Sequence, residues 1–309
     1  MKMLLTLMFS SFFSLSAMAQ LCSQWSAPEK VGDLDITMIP EASGLAYSKI
    51  FPNRLYHNND SGDGPFFYFT DLEGAKTQKI AVADFTPRDV EEVALGPCQT
   101  NESCLFLADI GDNKEVRPNV EIVIIKEEEF FAQPVTPLNK LVATYPDRAH
   151  NAEALVLHPN GDLFVITKEI SFVSRRASSA SIFRLSKDVL MSKTPVVFEF
   201  VAELDIPWIN YDFGIFGQII TAASITDNGK KFILLTYENA VEFALDLSAL
   251  SNFDTRKLVD GVDYHIIPLR GLLPQQEAMT YIPLGQDFLI SSESVDGAPA
   301  VLYKLSCQD

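Results

Sequence analysis

The sequence predicts an all-β protein: a single β-propeller of five four-stranded blades, closed by both chain ends. Three observations predict it. A motif that sets an acid before a small or apolar strand recurs as IPEASGLAY (39–47), DVEEVAL (89–95), NAEALVL (151–157) and QQEAMTY (275–281), with an acid-free copy, TAASIT, at 221–226. Each copy is followed by the same cadence of turn, strand and strand. The last copy ends one strand short, while the segment before the first copy is free to supply it.

The elements follow in order. Gln24 to Leu34 is the spare outer strand. After each motif strand comes a second strand with a polar end: RLYHNNDSG (54–62), CLFLADIGDN (104–113), DLFVITKE (162–169), KFILLTYEN (231–239) and DFLISSES (287–294). The turns between first and second strands carry strand breakers in HPNG (158–161), TDNGK (226–230) and PLGQ (283–286). Third strands are PFFYFTDLEG, VEIVIIKEE, ASIFRLS, AVEFALDL and AVLYKLS, and fourth strands KTQKIAVADF, KLVATY, VVFEFVAEL and YHIIPL. A unit of about 50–70 residues cannot bury both its faces alone, and radial stacking buries them. A six-bladed ring is the alternative if 196–220, the least regular stretch, hides a further blade.

Composition bounds the function. The chain has 309 residues, 47% of them apolar, and 24 Lys and Arg against 41 Asp and Glu give a net charge of −17. A nucleic-acid binder needs clustered Lys and Arg, so that class is excluded. Residues 1–19 (MKMLLTLMFSSFFSLSAMA) read as a signal peptide: Lys2, an apolar run, and Ala17-Met18-Ala19 before the cut after Ala19. The expected mature protein is the propeller domain 20–309, exported to the periplasm or medium and monomeric. No later segment is long and apolar enough to span a bilayer.

Four cysteines lie in the mature chain, and three pairings are open. Cys98 and Cys104 flank a short loop, and Cys22 and Cys307 stand at opposite ends of the chain. Pairing the latter would tie the two termini together where the ring must close. Metal ligation is the rival, but no C-x-x-C or Cys/His cluster supports it.

The meander also places the chemistry. A first strand starts, and its second strand ends, on one face of the ring. Glu41 is thus expected near Asn59 and Asp60; Glu91 and Glu92 near Asp109, Asp112 and Asn113; Glu153 near Lys168 and Glu169; Glu277 near Glu293. First strands are innermost, so their acids converge on the channel mouth. Converging carboxylates need raised pKa values, a cation, or Lys and Arg partners. Calcium, which takes six to eight oxygens, is the expected cofactor, with Glu41, Asn59, Asp60, Glu91, Asp112, Asn113, Glu153 and Glu277 as candidate ligands. If the site is catalytic, Glu92 or Asp109 is the expected base, Lys168 and Arg117 orient a phosphate, and His150 reaches the mouth. A second reading needs no ligand: the repeated Glu caps strand ends by accepting backbone amides. The nucleophile-elbow, H-E-x-x-H, Walker and dinucleotide motifs are all missing.

The succession EASGLAYS, NRLYHNNDSGD, DVEEVAL, LFLADIGDNKEVRP and NAEALVLHPNGDLFVITK resembles a group of exported bacterial β-propeller proteins with S-G-L-A, N-D-S-G, D-W-E-D and D-I-G-D-N in this order. Here Val90 stands for the usual Trp and Glu92 for the second Asp. The group is broadly similar to phytase-like, calcium-dependent phosphotriesterase-like and lactonase propellers. That resemblance implies calcium at the channel mouth and a hydrolase of phosphate or lactone esters. The alternative is a non-catalytic module that binds a small-molecule or cell-envelope ligand on the acidic face.

Overall fold

The computed structural model describes residues 20–99, 102–171, 176–177, 179–205, 217–250, 258–270 and 272–309. Residues 1–19, read above as a signal peptide, lie outside the described residues. Strand β1 (Glu29–Asp33) precedes the first repeat. Blade one is β2 (Ala42–Tyr47), β3 (Leu55–Asn59), β4 (Phe66–Thr70) and β5 (Gln78–Ala81). Blade two is β6 (Val90–Gln99), β7 (Glu102–Asp109), β8 (Val120–Lys126) and β9 (Asn139–Thr144). A short hairpin, β12 (Ile170–Ser171) with β13 (Arg176–Ala177), interrupts blade three, which is β10 (Ala152–Leu157), β11 (Leu163–Thr167), β14 (Ala180–Leu185) and β16 (Glu199–Leu204). Between these last two, β15 (Val196–Val197) adds a parallel edge to blade two. Blade four is β17 (Ile220–Ile225), β18 (Phe232–Thr236), β19 (Asn239–Phe243) and β20 (Tyr264–Pro268). Blade five is β21 (Gln276–Tyr281), β22 (Phe288–Ser292) and β23 (Val301–Leu305), completed by β1.

The ring therefore has five blades, closed as the repeat count predicts. The stretch 196–204 is the outer strand of blade three and an edge of blade two, not a sixth blade. Residues 206–216 of that irregular stretch lie outside the described residues. Cys22 is bonded to Cys307 and Cys98 to Cys104.

Period-two alternation explains why the inner strands are apolar on both sides. In β7, Cys104, Phe106 and Ala108 face blade three, while Leu105 and Leu107 face blade one. In β11, Leu163 and Val165 face blade two, and Phe164 and Ile166 face blade four. In β18, Phe232 and Leu234 face blade three, and Ile233 and Leu235 face blade five. Each gap between blades holds its own apolar core. The turn HPNG works because Gly161 takes φ +98°, a conformation that other residues rarely adopt.

The motif strands β2, β6, β10, β17 and β21 are innermost, each packed on the two beside it around the axis. All five carry a β-bulge at the same place, the second residue of the strand. The bulged residues are Ser43, Glu91, Glu153, Thr221 and Glu277.

Candidate functional site: an acidic axial mouth

The bulge decides which side chains reach the mouth. An extra residue in one strand is unpaired and re-aims its side chain. Glu91, Glu153 and Glu277 are bulge residues, but the blade-one equivalent is Ser43, not Glu41. Glu41 is exposed at the rim, where its backbone bridges Glu293. The acid series is corrected accordingly to Ser, Glu, Glu, Thr, Glu around the ring.

Two groups of three carboxylates form here, and Asp60 belongs to both. Asp60, Asp89 and Glu91 hold one oxygen each within 4.8 Å of one another, and so do Asp60, Glu277 and Glu293. Asp60 lies just past β3, Asp89 just before β6, and Glu293 just past β22. The groups thus join blades one, two and five. Asp89 and Glu293 are additions to the sequence-derived ligand set. A third grouping, Cys22, Cys307 and Asp309, contains oxidised cysteines and so no thiolate.

The electrostatics match the crowding. Burial, then repulsion from Asp60, lifts Asp89 to about 6. Burial, with the charges of Glu153, Asp60 and Asp89, holds Glu91 well above the ordinary carboxylate range. Burial and Glu277 lift Glu293 to about 8. Glu277 is also raised, by burial, although Tyr237 donates its hydroxyl to Oε1 at 2.6 Å. Burial lifts Glu153 too, against the ammonium of Lys168, which bonds its Oε1. Burial opposes the charge on Lys168, but Glu153, Glu277 and Glu91 outweigh it and keep the amine above its usual value.

Other predicted residues are built into the framework around the mouth. Asn59 accepts from Glu41 N (3.1 Å) and donates to Met38 O (2.9 Å) and Asp63 (3.2 Å). Asp109 accepts from Arg88 N, Asp89 N and Arg117, the last at 2.9 Å. Arg117 also donates to the carbonyls of Gly111 (2.6 Å) and Asp109 (3.0 Å). Asp112 accepts from Arg117 N at 2.6 Å and donates its own N–H to Asn151 at 2.7 Å. Asn113 accepts from Asn151 at 3.3 Å. The run ADIGDNKEVRP is thus a self-bonded turn that fixes the wall of the mouth. Glu92 lies deeper, in the axial channel, where Val93 N donates to it at 3.1 Å and Leu45 N at 3.4 Å. The amide-capping reading fits Glu92. The partners of Glu153 and Glu277 are side chains.

His150 does not join the carboxylate groups. It is buried, with Nδ1 2.8 Å from Glu169 and Nε2 3.1 Å from Asp147, and packs on Tyr145 and Phe183. Arg148 adds a 2.9 Å bond to Glu169. Burial disfavours the charged ring, but the two carboxylates outweigh it and hold His150 above its usual value. Its stabilising effect is therefore full below the ordinary 6.5 and is lost as pH rises through the folded value. His150→Gln is expected to cost about 1–2 kcal/mol at pH 6 and less at pH 9, read from urea midpoints at both pH values. An equal loss at both would show that the ring acts by packing alone. His57, also buried, bonds Thr70 at 3.0 Å, and burial pushes it down to about 3, so it is neutral.

The class defined by fold and mouth is a five-bladed β-propeller with an all-oxygen acidic site on its axis. No protein-family model matches the chain, and no curated protein matches it. Among solved structures the chain is similar to one described as a crystal structure of a nidogen/laminin complex, with a TM-score of 0.42 and 12% identity, over 81% of this chain and 72% of that one. At that distance the likeness carries no functional argument, and the fold assignment rests on the blades themselves.

Proposed function

We propose that this chain is an exported propeller whose axial mouth binds a divalent cation, calcium, through Asp60, Asp89, Glu91, Glu277 and Glu293. One observation carries the reading. Two oxygens on opposite sides of a calcium ion lie about 4.6–5.2 Å apart, and both groups keep their oxygens within 4.8 Å. The donors are all carboxylate oxygens, the chemistry of a hard cation rather than zinc or copper. A bound cation would favour the ionised form of acids that burial and mutual repulsion raise above their ordinary pKa. The two disulfides support the exported setting, since such bonds persist in oxidising compartments.

A binding role is better supported than hydrolysis. The two bases considered for water activation, Glu92 and Asp109, are both engaged by donors of the framework. The test is thermal melting at pH 8 and pH 5, in calcium and in EDTA. Calcium at about a hundred times its Kd is expected to raise the Tm by about 5 °C or more at pH 8. The shift is expected to shrink at pH 5, where the proton competes for Glu91, Glu277 and Glu293. Identical melts in calcium and EDTA at pH 8 would end the cation reading. Aryl phosphates and lactones turned over by wild type, but not by Glu153→Gln, would restore the hydrolase.

A further inference from the structure

Beside the acid groups, between blades two, three and four, lies a cavity of about 440 Å³. Its lining contains none of the five carboxylates assigned to the cation, although Tyr237 of the lining bonds one of them, Glu277. Its volume suits a small ligand. Its inner wall is Lys168, Tyr237 and Asn151, its rim includes Asn113 and Lys114, and Ile170 and Ile219 are its apolar sides.

The hydrogen-bonding capacity of this lining is one-sided. An ammonium has three donors and no acceptor. On Lys168, Glu153 takes one, and the Tyr237 oxygen lies 3.4 Å from the nitrogen for a second. The third has no partner among the described residues. The side-chain oxygen of Asn151 accepts from Asp112 N at 2.7 Å, and its amide nitrogen gives one hydrogen to Asn113 at 3.3 Å, leaving the second without a partner among the described residues. Two of the acceptors are engaged, although the Glu115 carboxylate also lines the cavity. Tyr237 donates its hydroxyl to Glu277 at 2.6 Å, and the Glu115 carboxylate accepts from Arg148 at 2.6 Å. Lys114 adds an exposed positive charge at the rim. An acidic face thus contains one alcove that offers N–H donors and an apolar wall.

We propose that this cavity binds a small organic acid, its carboxylate held by Lys168, Asn151 and Lys114 and its hydrocarbon body against Ile170 and Ile219. A singly charged head group fits better than a dianion, because Glu153 and Glu277 stand directly behind Lys168 and Tyr237. The ligand chemistry is a planar monoanion on a short apolar stem.

The experiment is isothermal titration of the mature chain in EDTA with butyrate and benzoate, against butyramide, benzamide and methyl phosphate. The carboxylates are expected to bind with a Kd of about 1 mM or tighter. The matched amides, which lack the charge, are expected to bind about tenfold more weakly. Lys114→Glu, at an exposed position that leaves the fold alone, is expected to weaken the carboxylates about fivefold and leave the amides unchanged. Ile170→Trp, which fills the cavity, is expected to abolish both. No carboxylate binding up to about 10 mM, equal affinity for acids and amides, tighter binding of methyl phosphate, or insensitivity to both substitutions would each overturn the proposal. So would carboxylate binding that requires calcium, since the anion would then sit on the metal.

Discussion

Replacing Cys22 and Cys307 together with serine is expected to lower stability by about 5 kcal/mol, the largest loss from any covalent change in this chain. The bond joins residues 285 apart in sequence, against 6 for Cys98–Cys104. In the chain-entropy model, constraint of the unfolded chain grows with the logarithm of the loop, giving about 5 kcal/mol for the long loop and about 2 for the short one. The long bond also sits where the ring closes. Blade five takes three strands from the C-terminal end and β1 from the N-terminal end. Around the bond, Ser26 N donates to Ser306 O at 2.9 Å, Gln308 N to Gln24 O at 2.9 Å, and Cys22 N to the buried carboxylate of Glu242 at 2.9 Å. Trp25 packs edge-on against Phe288 at 4.8 Å. These contacts remain in the serine variant, so it still folds, with a weaker seam. Urea midpoints of the two double-serine variants check the ratio. Equal losses would mean that the seam is closed by the strand pairing and not by the crosslink.

The blades were legible because each strand declares itself twice, once by its apolar run and once by the breaker that ends it. The closure was legible because one strand was missing at the C-terminus and one was spare at the N-terminus. The mouth was legible only in part. Matching the repeats on Glu-Ala aligned Glu41 with Glu153 and Glu277, since all three precede alanine. Matching them instead on Leu45-Ala46-Tyr47, Leu155-Val156-Leu157 and Met279-Thr280-Tyr281 puts Ser43 at the acid position, as the bulge does. Asp89 stands ahead of β6, and nothing in DVEEVAL says that it turns toward Asp60 of the preceding blade. Asn59, Asp109 and Arg117 have the right chemistry for a site, but which polar groups a loop binds internally depends on its backbone path. No local pattern encodes that path.

Glu92 shows what the motif concealed, and its removal is expected to produce the second large effect. One place past the bulge, the other four blades carry Gly44, Ala154, Ala222 and Ala278. Four small residues leave room on the axis, and the one large side chain fills it. A Cβ on Gly44 would stand 2.1 Å from Asn58 Oδ1 and 2.9 Å from Glu92 Oε1, so blade one cannot take even alanine there without displacement. The carboxyl accepts from Val93 N in its own blade and Leu45 N in blade one, and the amide of Ala223 approaches it from blade four. Glu92→Ala leaves these buried donors unmet, at a cost of about 3 kcal/mol or more. Formate, small enough to replace the lost carboxylate, is expected to raise the Tm of that variant and not of wild type. Glu92→Gln keeps an acceptor and loses the ionisation. Burial holds the native carboxyl well above its ordinary 4.5, against the three amides that favour the charged form. Its contribution to stability is therefore full below that value and declines as pH rises toward the folded one. The glutamine variant is expected to match wild type near pH 5 and to surpass it near pH 9, in urea midpoints across that range. If glutamine costs as much as alanine at every pH, the side chain is packed for its shape alone, and the axial amides do not need its oxygen.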